Sequence, residues 1–145
     1  MSKEVMEGRS WVMSAEPRNS GPRRPDAGLR WGSRILLATL LVVITDIALQ
    51  PGFTRPASIL GWDKLEHAAA FAALAVFARG SFPQLPSWLL ALPLAGYGLW
   101  IEYAQASTAV GRTPSVADWV ADLIGLVLGF GAAITVRTIL EQQRH

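Results

Sequence analysis

Polar and apolar positions divide the chain into a charged, Pro- and Gly-rich opening stretch and four apolar runs that follow it. The first run, RILLATLLVVITDIALQ, covers about 34–50 and stops at Pro51 and Gly52. The second, about 61–79, is long enough to cross the roughly 30 Å of a bilayer core only when Asp63, Lys64, Glu66 and His67 belong to its first turns. The third, about 88–106, contains Glu102, and the fourth, about 116–136, contains Asp118 and Asp122. Lipid offers no water to a broken backbone, so runs of this length and character predict helices. The expected fold is all-α, a four-helix transmembrane bundle over 34–137. A disordered basic tail over 1–33 is expected before it and a short cytoplasmic C-terminal tail over 138–145 after it.

Composition agrees with that pattern. Of 145 residues 51% are hydrophobic and 17% charged, where a soluble domain carries about a quarter charged. The length suits one domain, and no internal repeat is visible. The opening stretch, with AEPRNSGPRRPDAG inside it, is too polar to bury the apolar surface that would order it. A cleavable signal peptide is not expected, because the apolar run begins only at Ile35 and ends in ALQPG without a small-residue cleavage site. The absence of cysteine excludes disulfides, thiolate nucleophiles and thiolate metal sites.

Charge sets the expected orientation. With four spans, the tail, the turn after the second run and the C-terminus share one side. That side holds Lys3, Arg9, Arg18, Arg23, Arg24, Arg30, Arg34, Arg79, Arg137 and Arg144, leaving only Arg55, Lys64 and Arg112 of the 13 basic residues for the other. The positive-inside rule then makes both termini cytoplasmic and the protein a multi-pass protein of the cytoplasmic (inner) membrane. Trp31 and Trp88 fall at the inner interface and Trp62, Trp100, Tyr103 and Trp119 near the outer one, where amphipathic rings act as anchors. Nucleic acid is not an expected partner, since attraction to anionic lipid of about 1 kcal/mol per basic residue accounts for the basic excess.

On this topology Asp46, the Asp63–His67 group, Glu102, Gln105, Asp118 and Asp122 all lie in one layer at the outer ends of the helices. Asp63 and His67 are four apart, as are Asp118 and Asp122, and Glu102 and Gln105 are three apart, so each pair shares a helix face. A charge facing lipid near the bilayer centre costs on the order of 3 kcal/mol, which turns those faces inward around a polar pocket. Ala121, Gly125 and Gly129 add a small-residue stripe suited to close helix contact, within the monomer or in a dimer.

Three blocks, WDKLEHAAAFAALAVFARG, GLWIEYAQ and GRTPSVADWVADLIGLVLG, resemble those of the VanZ-like family of small bacterial membrane proteins, over Trp62 to Gly129. The resemblance implies an envelope protein of a family linked to glycopeptide resistance. Its polar positions are Asp63, Lys64, His67, Glu102, Gln105, Arg112 and Asp118, and Asp122 stands where the family often has Asn. Membrane lipids and a lipid-linked headgroup are the expected partners. In an enzymatic reading His67, oriented by Asp63, acts as general base with Glu102 as general acid and Asp118 beside them. Lys64, Gln105, Arg112 and Asp122 then bind substrate, the cations suiting phosphate. No Ser or Cys stands in a nucleophile motif, so water or His67 must attack. The other reading is a non-catalytic membrane module that binds an amphiphile. No cofactor is expected, and no metal: a single His with carboxylates from three helices has no diagnostic zinc spacing.

Overall fold

A computed structural model describes residues 27–50, 63–107 and 115–143. These form four helices and, among the described residues, no strand: α1 (Ala27–Leu49), α2 (Asp63–Ser81), α3 (Ser87–Ser107) and α4 (Val116–Gln142). Most of the expected tail, together with Arg55, Trp62, Arg112 and Arg144, lies outside the described residues.

Two helices run further than expected. α1 begins at Ala27 and takes in seven residues assigned above to the tail. Pro25 is the last proline before it, and Ala, Leu and Arg favour the helix once that breaker is passed. α4 continues past Val136 to Gln142, so most of the expected C-terminal tail is helix. No Gly or Pro interrupts it there, and Arg137 pairs with Glu141 one turn on, Nε to Oε1 at 2.8 Å. At its other end Ser115 caps α4, its hydroxyl accepting from the Asp118 N–H at 3.2 Å.

Around the bundle the order is α1, α2, α4, α3, with α2 and α3 meeting across the middle and α1 and α4 not touching. α2 and α4 form the largest contact, side by side and parallel. Small residues make this possible. A Cβ at Gly125 would collide with the Ala68 carbonyl, and one at Gly129 would collide with the Ala72 carbonyl and lie 2.8 Å from the Ala75 Cβ. The stripe read in the sequence is therefore consumed inside the monomer. Below it sits the apolar core, formed by Phe71, Leu74, Ala75, Ala78, Leu90, Leu94, Leu126 and Phe130. α1 joins through Leu37, Leu40, Leu41 and Ile44, and through Tyr97, whose hydroxyl donates to the Leu41 carbonyl at 3.0 Å and lies 2.8 Å from Thr45 Oγ1.

The polarity of the bundle is inverted relative to a water-soluble one. Glu102, Gln105, Asp118 and Asp122 are buried, while Leu92, Leu99, Val127, Leu128, Val136 and Tyr103 face outward and α1 buries no residue fully. α1 and α4 are each long and apolar enough to cross a membrane. α2 and α3 fall short of that standard: α2 carries Asp63, Lys64, Glu66 and Arg79, and α3 dilutes its leucines with Gly, Tyr and Glu102.

Gly125→Leu should therefore lower stability by about 1–3 kcal/mol, because the added side chain has only backbone to push against. Gly131→Ala, where nothing lies within 4 Å of the new methyl, should instead raise it by up to about 1 kcal/mol through helix propensity. Thermal unfolding of the purified protein checks both signs.

Candidate functional site

Three helix ends build the polar layer. α2 and α4 start at the end of the bundle where α3 stops, so their first turns and its last turns meet. The parallel contact sets the register: with Ala68 against Gly125, His67 just before it on α2 comes opposite Asp122, one turn before Gly125 on α4.

His67 Nδ1 lies 2.9 Å from Asp122 Oδ1, with the two side chains 11% and 2% exposed. An ionised Asp122 only accepts, so against it Nδ1 is the donor, and a neutral ring then keeps its lone pair on Nε2. Nε2 hydrogen-bonds no described residue. This differs from the expected arrangement in which Asp63, one turn away on the same helix, orients the ring. The orienting carboxylate comes from α4, and Asp122 is a partner of the histidine. Room for it comes from Gly98: a Cβ there would lie 2.8 Å from Asp122 Oδ2 and 3.2 Å from the Phe71 ring.

Lys64 reaches Asp118, Nζ to Oδ1 at 3.1 Å, and its side chain is 60% exposed while that of Asp118 is 10% exposed. Asp63 lies beside them; Asp63, His67 and Asp118 each offer an atom within 4.8 Å of the others, the one His and carboxylate group among the described residues compact enough to hold a divalent ion. The Lys64 ammonium already neutralises Asp118 in that group, and a divalent ion there would sit against a positive charge.

Glu102 is buried and holds the two remaining helix ends together. Its Oε2 accepts the Ser115 backbone N–H at 2.8 Å, at the start of α4. Its Oε1 is buried with no hydrogen-bond partner, a deficit worth about 1–3 kcal/mol. Gln105, one turn on, donates from Nε2 to the Ala48 carbonyl at 3.0 Å and ties α3 to the end of α1. Asp46 stays outside the layer: it is exposed and accepts from Gln50, just past the end of α1, at 3.3 Å. Arg112 lies outside the described residues. Trp119, expected as an interfacial anchor, donates its indole N–H to the Ala95 carbonyl of α3 at 3.2 Å, whereas Trp100 and Tyr103 face outward.

Two members of the layer were not picked out in the sequence. Ser115 had a legible signal, the Ser-Val-Ala-Asp spacing of an N-cap ahead of an apolar run. Gly98 had none, since one glycine in an apolar helix looks the same whether or not a carboxylate lies over it.

The layer therefore contains an imidazole held by the buried Asp122 with Nε2 bonded to no described residue, the buried Glu102 with one unpaired oxygen, and a largely exposed ammonium on the buried Asp118. The Ser115 hydroxyl is occupied by the helix cap. These parts can accept a proton and attract an anion. Among the described residues the fold and site define an all-α bundle of four helices with a polar cluster buried at one end. Comparison with family models, curated proteins and solved structures found nothing that matches the chain.

Because the His67–Asp122 pair is enclosed, a double-mutant cycle with His67→Ala and Asp122→Ala should give a coupling of at least about 1 kcal/mol. The equivalent cycle for Lys64 and Asp118 should stay below about 1 kcal/mol, because water screens the exposed ammonium. Equal couplings would mean that burial does not separate the two pairs.

Proposed function

We propose that the chain is a four-pass membrane protein of the VanZ-like kind, with both termini cytoplasmic and its polar layer at the outer leaflet, where it binds or processes a phosphate-bearing lipid or lipid-linked headgroup. One observation carries this reading: buried carboxylate and amide side chains of α3 and α4 gather with the nearly enclosed His67 of α2 at one end of a bundle whose outer surface is largely apolar. In water that exterior would be a liability; in lipid it is the expected face, and carboxylates turn inward to avoid the acyl chains. The shortfall of α2 in hydropathy fits as well. Lys64 and His67, which lower it, spend their polarity on Asp118 and Asp122.

In the enzymatic form of the proposal, His67 Nε2 takes a proton from the attacking water while Asp122 steadies the imidazolium. Glu102, through the oxygen that no protein group occupies, protonates the leaving oxygen, and Lys64 with Arg112 draws the phosphate. The non-catalytic form is favoured by a different fact: His67, Lys64, Glu102 and Gln105 each make an interhelical bond, which a structural layer also requires.

Two expected outcomes test the proposal. The chain has no cysteine, so single labels are clean. Ser107→Cys should react with a membrane-impermeant maleimide in intact cells and Gln84→Cys, in the turn after α2, should not; both positions are exposed, so the reverse labelling would put the layer on the cytoplasmic side. Glu102→Gln and Arg112→Gln should accumulate to the parent level and abolish the envelope phenotype the protein confers, such as altered glycopeptide sensitivity. Full activity in both, or loss only through failure to accumulate, would make the layer structural.

A further inference from the structure

The opposite, basic end of the bundle holds two arginines that the proposed function leaves unused. Arg79, in the last turn of α2, donates from Nη1 to the carbonyls of Pro83 at 2.7 Å and Leu85 at 3.1 Å, with Phe82 at 3.5 Å, and so holds the turn into α3. Arg34 of α1 has its guanidinium carbon 5.2 Å from the ring centroids of both Trp31 and Phe82. Phe82 is thus shared, its ring under one guanidinium and its carbonyl at the other. Between them the two helices cross closely: Ser33 Oγ lies 2.8 Å from the position of a Cβ at Gly80. Arg34 and Arg79 are the chain neighbours of those two residues, one on each side of the crossing.

Neither arginine forms a salt bridge to a described residue. Both are half-buried, and the Nε of each is buried without an acceptor. Among the described residues no carboxylate pairs with either guanidinium at this crossing, and the Nε–H of each lacks an acceptor. A tetrahedral phosphate supplies both needs, since its oxygens match the guanidinium fork.

We propose that the α1–α2 crossing binds a phosphate group through Arg34 and Arg79, and that the phosphate belongs to an anionic phospholipid of the leaflet at the basic end. The choice of lipid rests on the reading of the chain as a membrane protein. Trp31 and Trp88, both largely exposed at this end, then lie at headgroup depth, and basic pockets between spanning helices on the cytoplasmic side suit anionic headgroups.

The test uses the full-length protein purified in mild detergent, with phosphatidylglycerol, phosphatidylcholine and inorganic phosphate as probes and native mass spectrometry as readout. The parent should retain phosphatidylglycerol over phosphatidylcholine, and R34Q should weaken that binding about tenfold. R34K, which keeps the charge and loses the fork, should fall between them. Arg34 is the residue to vary because it holds no turn carbonyl, so the fold survives its loss. Competition by inorganic phosphate at the lipid's own concentration would make the ligand a soluble anion and overturn the lipid assignment. Recovery of the chain in the soluble fraction would overturn the membrane reading and the lipid with it. Recovery in membranes with equal phosphatidylglycerol affinity in parent and R34Q would overturn this site alone.

Discussion

The backbone-to-backbone approach of α2 and α4 is the constraint from which the rest follows. Ala68, Ala72 and Ala75 on one helix and Gly125 and Gly129 on the other leave no side chain thick enough to hold the axes apart. In a lipid setting this matters more than in water. Apolar side chains gain little by leaving acyl chains for one another, so close van der Waals packing and interhelical hydrogen bonds must supply the association. The same proximity brings His67 within 2.9 Å of Asp122 and Lys64 within 3.1 Å of Asp118, one and two turns before Gly125 toward the start of α4. Packing at the glycines and pairing at the charges are two ends of one seam.

That seam explains the division of labour along the bundle. Toward the basic end the helices are joined by ordinary side-chain packing around Phe71, Leu74, Leu126 and Phe130. Toward the other end, polar groups replace it: Glu102 clamps the α4 start, Gln105 grips the end of α1, and Tyr97 links Leu41 and Thr45 to α3. A buried polar layer is costly unless its members find partners. Most of them do here, and the unpaired Glu102 Oε1 stands out for that reason.

An up-and-down chain places sequential helices antiparallel, so the parallel α2–α4 pair requires α3 to carry the chain back across the bundle. The return puts the last turns of α3 beside the starts of both other helices. Glu102 and Gln105, far in sequence from the start of α2, thereby join the layer.

Much of this was legible in the residues. Four apolar runs, each with its carboxylates toward one end, predict four helices and an asymmetric bundle, because helix period and the cost of exposing a carboxylate to lipid act locally and need no knowledge of neighbours. The Ala121, Gly125 and Gly129 spacing likewise announced a close contact, though not its partner. The pairings were decided only in three dimensions. Spacing joined Asp63 to His67, since residues four apart share a helix face whatever surrounds them. The fold instead joined His67 to Asp122, because α2 and α4 lie parallel in one register and Gly98 leaves a space for the carboxylate. Helix lengths at α1 and α4 were missed for a related reason: charge and composition suggest where a tail begins, but helix continues until something breaks it, and no proline stands between Ala27 and Leu49 or between Val136 and Gln142. A sequence sets which faces of each helix are polar; which faces meet depends on how near two backbones can come, and that is a property of the assembled bundle.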